Sequence, residues 1–253
     1  MDLLTLLRQL AGELGVRHML PSVVISADDD PGKPSRELIE LALRAASRAA
    51  DIQLPHLSQR LSAPPYWPDI WPGEHYRLLT ALMQVTRPRL VIEIGTATGL
   101  SALAIKDGLP ESSSIVTFDI VPWRDYPDYV LRPEDFADNR LQQIVADLTN
   151  RNLAKQYAAL LAEADLLFVD AAKDGSMEAT ILDNFSAIGL KEGALLMFDD
   201  IRMIPMFPIW RRIALPKLDL TSFGHWSGTG LVRWSQRIPW CGVTPSAGAP
   251  VQA

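Results

Sequence analysis

Two groups of residues in this chain have types and spacings suited to chemistry. The first is the run Val91-Ile-Glu-Ile-Gly95-Thr-Ala-Thr-Gly99-Leu-Ser101, which reads as a strand, a tight glycine turn and a helix start. Glycines let a backbone approach a ligand closely, and the first turn of a helix offers free N–H groups to an anion such as a carboxylate. A dinucleotide site would want a glycine two residues after Gly95, where Ala97 stands. The second group is acidic. Leu-Leu-Phe-Val-Asp170-Ala-Ala-Lys173-Asp174 and Leu-Leu-Met-Phe-Asp199-Asp200 are apolar runs that end in carboxylates. Carboxylates gathered at neighbouring strand ends repel one another unless protonated or neutralised by a cation. Hard oxygen donors favour Mg²⁺, with Ca²⁺ and Mn²⁺ as weaker alternatives. Two further acids suit a nucleoside. Asp119 ends an apolar run twenty residues after Gly99, where a carboxylate can accept both hydroxyls of a ribose, and Asp147 closes Val145-Ala-Asp147. Each also fits a turn or capping aspartate.

The elements that must position these residues follow from the apolar pattern. β-rich runs at Leu90–Ile94, Ile115–Asp119, Gln143–Ala146, Leu166–Asp170 and Ala194–Phe198 alternate with helical stretches at Ser101–Asp107, Asn152–Glu163, Ser176–Ile188 and Pro205–Ala214. Such alternation predicts a parallel sheet covered by helices on both faces, with ligands at the carboxyl ends of the strands. Leu218–Phe223 and Gly230–Trp234 are joined by a short Gly/Ser loop, which predicts a hairpin and an antiparallel strand at the sheet edge. Upstream, leucines at positions 3, 4, 7, 10 and 14 form a helical stripe, Ser26–Ser35 reads as a loop and Glu37–Ala50 as a second helix. The proline-rich stretch Pro55–Pro72 reads as an irregular connector, and Gly73–Val85 as a third helix. The expected organisation is a helical cap over the ligand end (1–75), a doubly wound α/β domain (76–240) and a short tail (241–253).

Glu-Ile-Gly-Thr-x-Thr-Gly-x-Ser-Ala, from Glu93 to Ala102, resembles the first motif of the metal-dependent O-methyltransferases of the catechol and caffeoyl-CoA type. That resemblance implies a seven-stranded, Rossmann-like class I methyltransferase sheet with its last strand antiparallel, and S-adenosylmethionine as methyl donor. It implies that Glu93, Gly95, Thr96 and Gly99 border the methionine portion, that Ser101 hydrogen-bonds its carboxylate, that Asp119 takes the ribose and that Asp147 lies by the adenine. Ala97 replaces an aromatic residue common in the family. Val-Asp-Ala-x-Lys-Asp resembles the family's fourth-strand motif, and Asp199-Asp200 stands where the family has an Asp-Asn pair; Asp-Asp is the form of the macrolide-sugar O-methyltransferases. The implied ligands of Mg²⁺ are Asp170, Asp199 and Asp200, with Asp170 also beside the methyl donor. Lys173 is implied as general base, working through a depressed pKa near a metal-activated hydroxyl. Its bland alternative is a solvated lysine opposite Asp174. Ala172 and Ser176 replace an acid and an aromatic of the plant enzymes, so their acyl-CoA substrate does not carry over. The expected reaction is Mg²⁺-assisted O-methylation of a small hydroxylated acceptor. Metal-independent N-, O- or C-methylation is the alternative, and a non-catalytic cofactor-binding protein a third.

Bulk properties narrow the partners. The chain has 253 residues, 48% of them apolar, and a net charge of −6, so no global positive field favours nucleic acid or anionic lipid. No apolar run approaches the roughly 20 residues that span a bilayer, and the N-terminus is a poor signal peptide. Cys241 is the single cysteine, which excludes an internal disulfide and fits a cytoplasmic setting. The leucine stripe suits a homodimer contact or the domain's own core. Several residues invite a blander reading. His225 fits a surface loop and His75 a structural role. Trp67 and Trp71 either wall an aromatic acceptor or pack the cap, and Asp28–Asp30 is a solvated turn. On this reading a side chain at Gly95 would occupy ligand space and spare the fold.

Overall fold

The computed structural model describes residues 32–72 and 74–241. The leucine stripe, the acidic triplet Asp28–Asp30, Gly73 and the tail from Gly242 lie outside the described residues. Three helices come first: α1 (Arg36–Ala50), α2 (Pro55–Ser58) and α3 (Tyr76–Thr86). The alternating region follows with β1 (Leu90–Ile94), α4 (Leu100–Gly108), β2 (Ser114–Asp119) and β3 (Leu141–Val145). It continues through α5 (Arg151–Gln156), α6 (Ala158–Ala162), β4 (Leu166–Val169), α7 (Ser176–Ile188) and β5 (Leu195–Asp199). The chain closes with α8 (Phe207–Arg212), β6 (Lys217–Asp219) and β7 (Thr229–Arg233).

The sheet has seven strands in the order β3-β2-β1-β4-β5-β7-β6. The first five pair in parallel, and β7 runs antiparallel to both β5 and β6. The antiparallel strand therefore lies one place in from the edge, and β6 is the edge; a hairpin folded back between β5 and its own first strand gives that order. Three local expectations shift. The helix expected over Asn152–Glu163 breaks at Tyr157, whose backbone (φ −97°, ψ 12°) leaves the helical region. The strand expected to Phe223 stops at Asp219, whose carboxylate accepts from Thr221 N at 2.8 Å and turns the chain into a 3₁₀ turn. The proline-rich connector holds α2 and a 3₁₀ turn at Trp67–Asp69.

Alternation along each strand divides the core in two. Val91, Ile115, Leu166, Phe168, Leu195 and Met197 face one side with α1, α3 and α4. Ile92, Val116, Phe118, Leu167, Val169 and Phe198 face the other with α7 and α8. Helix α1 begins at Ser35, whose hydroxyl accepts from Leu38 N, and its stripe Leu38–Leu41–Ala42–Ala45–Ala49 is buried. That stripe lies in the same core as α3, so α1 covers a face of the sheet and does not cap the ligand end. Leu41 and Arg44 line a cleft with Arg89, Asp165 and Gly193, beside the strands' opposite ends. Among the described residues before β1, Arg60 donates to Val130 O at 3.0 Å and to Asp135, and His75 stands beside Asp199 at the carboxyl end of β5.

Gly95 adopts φ +100°, and a Cβ there would sit 1.8 Å from the carbonyl oxygen of Asp170. The glycine is demanded by strand packing before any ligand arrives, which corrects the expectation that a side chain would only fill ligand space. Gly95→Val should cost at least about 1–3 kcal/mol through backbone strain alone, with the clash added. Thermal and urea unfolding measure it. Gly99 (φ +85°) is strained for a side chain too, and its Cβ would press on the buried Leu131 side chain, but no backbone atom is among its nearest contacts, so Gly99→Ala should cost less. A Gly95→Val protein that melts with the wild type would refute the packing argument.

Candidate active site

The glycine turn, β2, β3 and β4 end around a cleft of about 230 Å³ lined by Gly95, Ala97, Asp119, Asp147, Asp170 and Met177, among others. Asp119 is fixed by the turn it faces: Oδ2 accepts from Ala97 N and Oδ1 from Val121 N, each at 3.0 Å. Each oxygen keeps a lone pair for a ligand hydroxyl. Asp147 serves as a turn aspartate, accepting at Oδ1 from Thr149 N at 2.8 Å and Thr149 Oγ1 at 2.6 Å, while also lining the cleft. Thr96, Glu93 and Ser101 are buried behind this wall. The Thr96 hydroxyl is 2.8 Å from that of Thr117 and accepts from Gln143 Nε2, so its side chain serves the interior. Gly99 packs on Leu131. Glu93 is fully enclosed, and its carboxylate oxygens have no hydrogen-bond partner. Burial raises its pKa to about 7, against the pull of the nearby Ser101 and Thr117 hydroxyls.

Beside the cleft, Asp170, Asp199 and Asp200 present carboxylate oxygens that lie within 4.8 Å of one another. Asp199 and Asp200 are 2% and 1% exposed, so their charges require compensation from protein or cation. Three basic side chains meet them. Lys173 Nζ is 3.2 Å from Asp170 Oδ1 and pairs closely with Asp200 Oδ2. His75 Nδ1 is 3.4 Å from Asp199 Oδ1, and His225 Nδ1 is 3.2 Å from both Asp199 Oδ2 and Asp200 Oδ1. Ser227 Oγ hydrogen-bonds to Asp200 and lies 2.5 Å from His225 Nδ1. The carboxylates respond differently. Burial, then the Asp199 charge, raises the pKa of Asp170. Burial also opposes ionisation of Asp199, but His75 and His225 outweigh it and hold that pKa well below the ordinary range. Asp200 is likewise held down, with burial outweighed by His225, Lys173 and Ser227.

Lys173 departs from the sequence expectation. Burial disfavours its charge, but Asp170 and Asp200 overcome this and raise its pKa above the usual lysine value. It is neither a depressed-pKa base in this arrangement nor a solvated partner of Asp174. Its backbone is held at φ +60° by the buried Glu178, which accepts from Lys173 N at 2.8 Å and Gly175 N at 2.9 Å. Glu178 thereby fixes the turn that carries both Asp170 and Lys173.

His75, read as structural, stands beside Asp199, and the surface-loop reading of His225 is corrected. Both are buried, at 3% and 8% exposure, and both face Asp199. Burial lowers and the acids raise their pKa values; the acids prevail, lifting His225 to about 10. The topology held a signal for each. β7 starts opposite Asp199, so the loop before it must lie at the carboxyl edge. Helix α3 runs back along β1, so its first turn begins at that edge too. Trp71 is 43% exposed and Trp67 half-buried, so neither belongs to the core.

Glu93 gives this site a pH signature. Because its folded pKa of about 7 exceeds its usual 4.5, the native state holds a proton that the unfolded chain has already lost. Stability should therefore fall between about pH 4.5 and 7, by on the order of 3 kcal/mol, and Glu93→Gln should remove that fall. Chemical denaturation of both proteins at pH 5 and pH 8 measures it. Equal pH dependence of the two would remove Glu93 as its source.

Comparison with known proteins bears on the fold. Residues 92–201 match the family model described as a methyltransferase domain. Catechol O-methyltransferase of Mus musculus is 29% identical over 138 residues, covering 52% of this chain and 49% of that protein. The probable caffeoyl-CoA O-methyltransferase 3 of Dictyostelium discoideum is 24% identical over 134 residues, covering 51% of this chain and 50% of its own. The chain thus spans about half the length of the curated relatives it matches. Among solved structures, a Staphylococcus aureus protein assigned as a caffeoyl-CoA O-methyltransferase shares the fold, with a TM-score of 0.52 at 16% identity over 79% of this chain and 98% of that one. Residues 92–201 thus resemble a methyltransferase domain, and the strand order with its antiparallel β7 is that of the Rossmann-like methyltransferase fold.

Proposed function

We propose that the chain transfers the sulfonium methyl of S-adenosylmethionine to a hydroxyl oxygen of a small acceptor, aided by a divalent cation, in first instance Mg²⁺, at Asp170, Asp199 and Asp200. The observation that carries this is the convergence of three carboxylates at two strand ends, next to the cleft that contains Asp119. The donor set fits a cation. Asp199 is buried, and neither of its oxygens makes a hydrogen bond, although histidine nitrogens stand 3.2 and 3.4 Å away. Both curated relatives are named as O-methyltransferases, which supports an oxygen acceptor.

The acceptor oxygen forms the new C–O bond as the S–C bond breaks, and its electron pair leaves on sulfur as S-adenosylhomocysteine. The hydroxyl proton must go elsewhere. A divalent cation at the three aspartates would supply Lewis acidity that lowers the pKa of an acceptor hydroxyl. Asp119 and Asp147 bind the nucleoside, and the turn from Gly95 to Gly99 lets backbone meet the methionine end. Lys173 stays an ammonium while it pairs with both carboxylates; with a cation on those carboxylates it would release its own proton to solvent and, as the neutral amine, be able to take the hydroxyl proton. A metal-independent route has its own support, since Lys173, His75 and His225 can balance the three acids without help. Chelator-insensitive turnover would favour it. The single cysteine fits a cytoplasmic setting.

Asp119→Ala should weaken S-adenosylhomocysteine binding by about 1.5–3 kcal/mol, the range for hydrogen bonds to a charged group. Titration calorimetry on a folded variant measures this, and unchanged affinity would remove Asp119 from the site. For the cation, the melting temperature should rise with Mg²⁺ and fall back with chelator, because a ligand that binds only the folded state stabilises it by mass action. Asp199→Asn should blunt that rise and cut turnover far more than cofactor affinity. No response to Mg²⁺ and no effect of chelator on turnover would reject the metal mechanism.

A further inference from the structure

We infer that His75 and His225 are direct ligands of the cation held at Asp199, and that the site selects a transition-metal ion such as Mn²⁺, Co²⁺ or Zn²⁺ over Mg²⁺. This rests on the reading that the strand-end acids hold a divalent cation, and it names which cation. His75, Asp199 and His225 are all buried, and each offers one ligand atom within 4.8 Å of the others.

Spacing favours shared ligation over ion pairing. Charge-assisted N–H···O bonds run about 2.7–2.9 Å. The imidazole nitrogens stand farther from Asp199, at 3.4 Å for His75 Nδ1 and 3.2 Å for His225 Nδ1. Two ligands each about 2.0–2.1 Å from one ion lie roughly 3–3.4 Å apart at octahedral or tetrahedral angles. The observed separations fall in that range.

His75 supplies an independent observation. Its ring is 3% exposed, and neither nitrogen has a hydrogen-bond partner. A neutral imidazole carries one donor and one acceptor, and leaving both bare in the interior is costly. A cation between His75 and Asp199 would satisfy one nitrogen and both unpartnered oxygens of Asp199. His225 meets the other oxygen of the same carboxylate, its ring centroid 5.8 Å from that of His75. Its Nδ1 lies beside Ser227 Oγ, which would keep its bond to Asp200 when a cation takes the nitrogen lone pair. Imidazole donors shift preference along the Irving–Williams series, away from Mg²⁺, which prefers oxygen.

The test uses the full chain freed of metal by chelation. Mg²⁺, Mn²⁺ and Co²⁺ are titrated by calorimetry, and Co²⁺ also by its visible absorption, in wild type, His75→Asn, His225→Ala and Asp199→Asn. Wild type should bind Co²⁺ and Mn²⁺ more tightly than Mg²⁺. Each histidine variant should lose at least about 10- to 100-fold in Co²⁺ affinity, the cost found even for outer-shell partners, while Mg²⁺ affinity changes far less. Pulsed electron-spin spectra of the Mn²⁺-loaded wild type should show coupling to nitrogen, a readout that survives if a variant fails to fold. Equal affinities for the three ions, or no nitrogen coupling with Mn²⁺ bound, would overturn the inference while leaving an all-oxygen Mg²⁺ site standing. Binding of no cation at all would overturn both.

Discussion

Asp170, Asp199 and Asp200 close two strands that pair in parallel register, so the sheet itself prevents their carboxylates from moving apart. Asp199 and Asp200 are enclosed, and a buried carboxylate is tolerated only when charge or strong hydrogen bonds meet it. Much of the surrounding structure answers that requirement. Lys173 arrives on a turn fastened by Glu178, His75 on the first turn before α3, and His225 on the loop before β7. None of these positions is adjacent in sequence to the acids except Lys173. Their common feature is electrostatic demand from one small volume.

The demand also localises strain. Ala97, Lys173 and Asp200 have positive φ values of 44°, 60° and 60°, and all three belong to the turns that follow β1, β4 and β5. Non-glycine residues held there cost of order 1–3 kcal/mol each. Such cost persists only where neighbours over-determine the backbone. At Ala97 the neighbour is Asp119, which accepts from its N–H. At Lys173 it is the Glu178 carboxylate. At Asp200 the fixing contacts are Ser227, His225 and Lys173 on its side chain. Strain and charge thus meet on this rim of the sheet, although Arg87, Asp128 and Asn139 hold positive φ values elsewhere.

Local patterns made the sheet, the glycine turn and the acidic strand ends legible in the sequence, because each depends on a few consecutive residues. Glu93 to Ser101 announces strand, turn and helix directly. The same does not hold for α1, whose amphipathic stripe says that it is buried but not against what. Gly95 was readable as a necessary glycine, yet its cause is a carbonyl contributed by β4, more than seventy residues away. His225 was harder still. In sequence it sits among glycine and serine, which reads as surface, and only the insertion of β7 beside β5 turns its loop inward over Asp199. Residues whose role comes from topology need the strand order before they can be read.

Lys173 shows how one arrangement can serve two states. A lysine between two carboxylates has its proton held by them, so it cannot act as a base there. The same two carboxylates are the ones a divalent cation would claim, and a cation and an ammonium cannot both sit on them without repulsion. Occupancy by one therefore displaces or destabilises the other. With its partners taken, the lysine is left half-buried near a positive charge, and both conditions lower its pKa. The group that now neutralises the two carboxylates would then be the group best suited to accept a proton beside a bound cation. Base function would in this way be tied to cation binding through electrostatics.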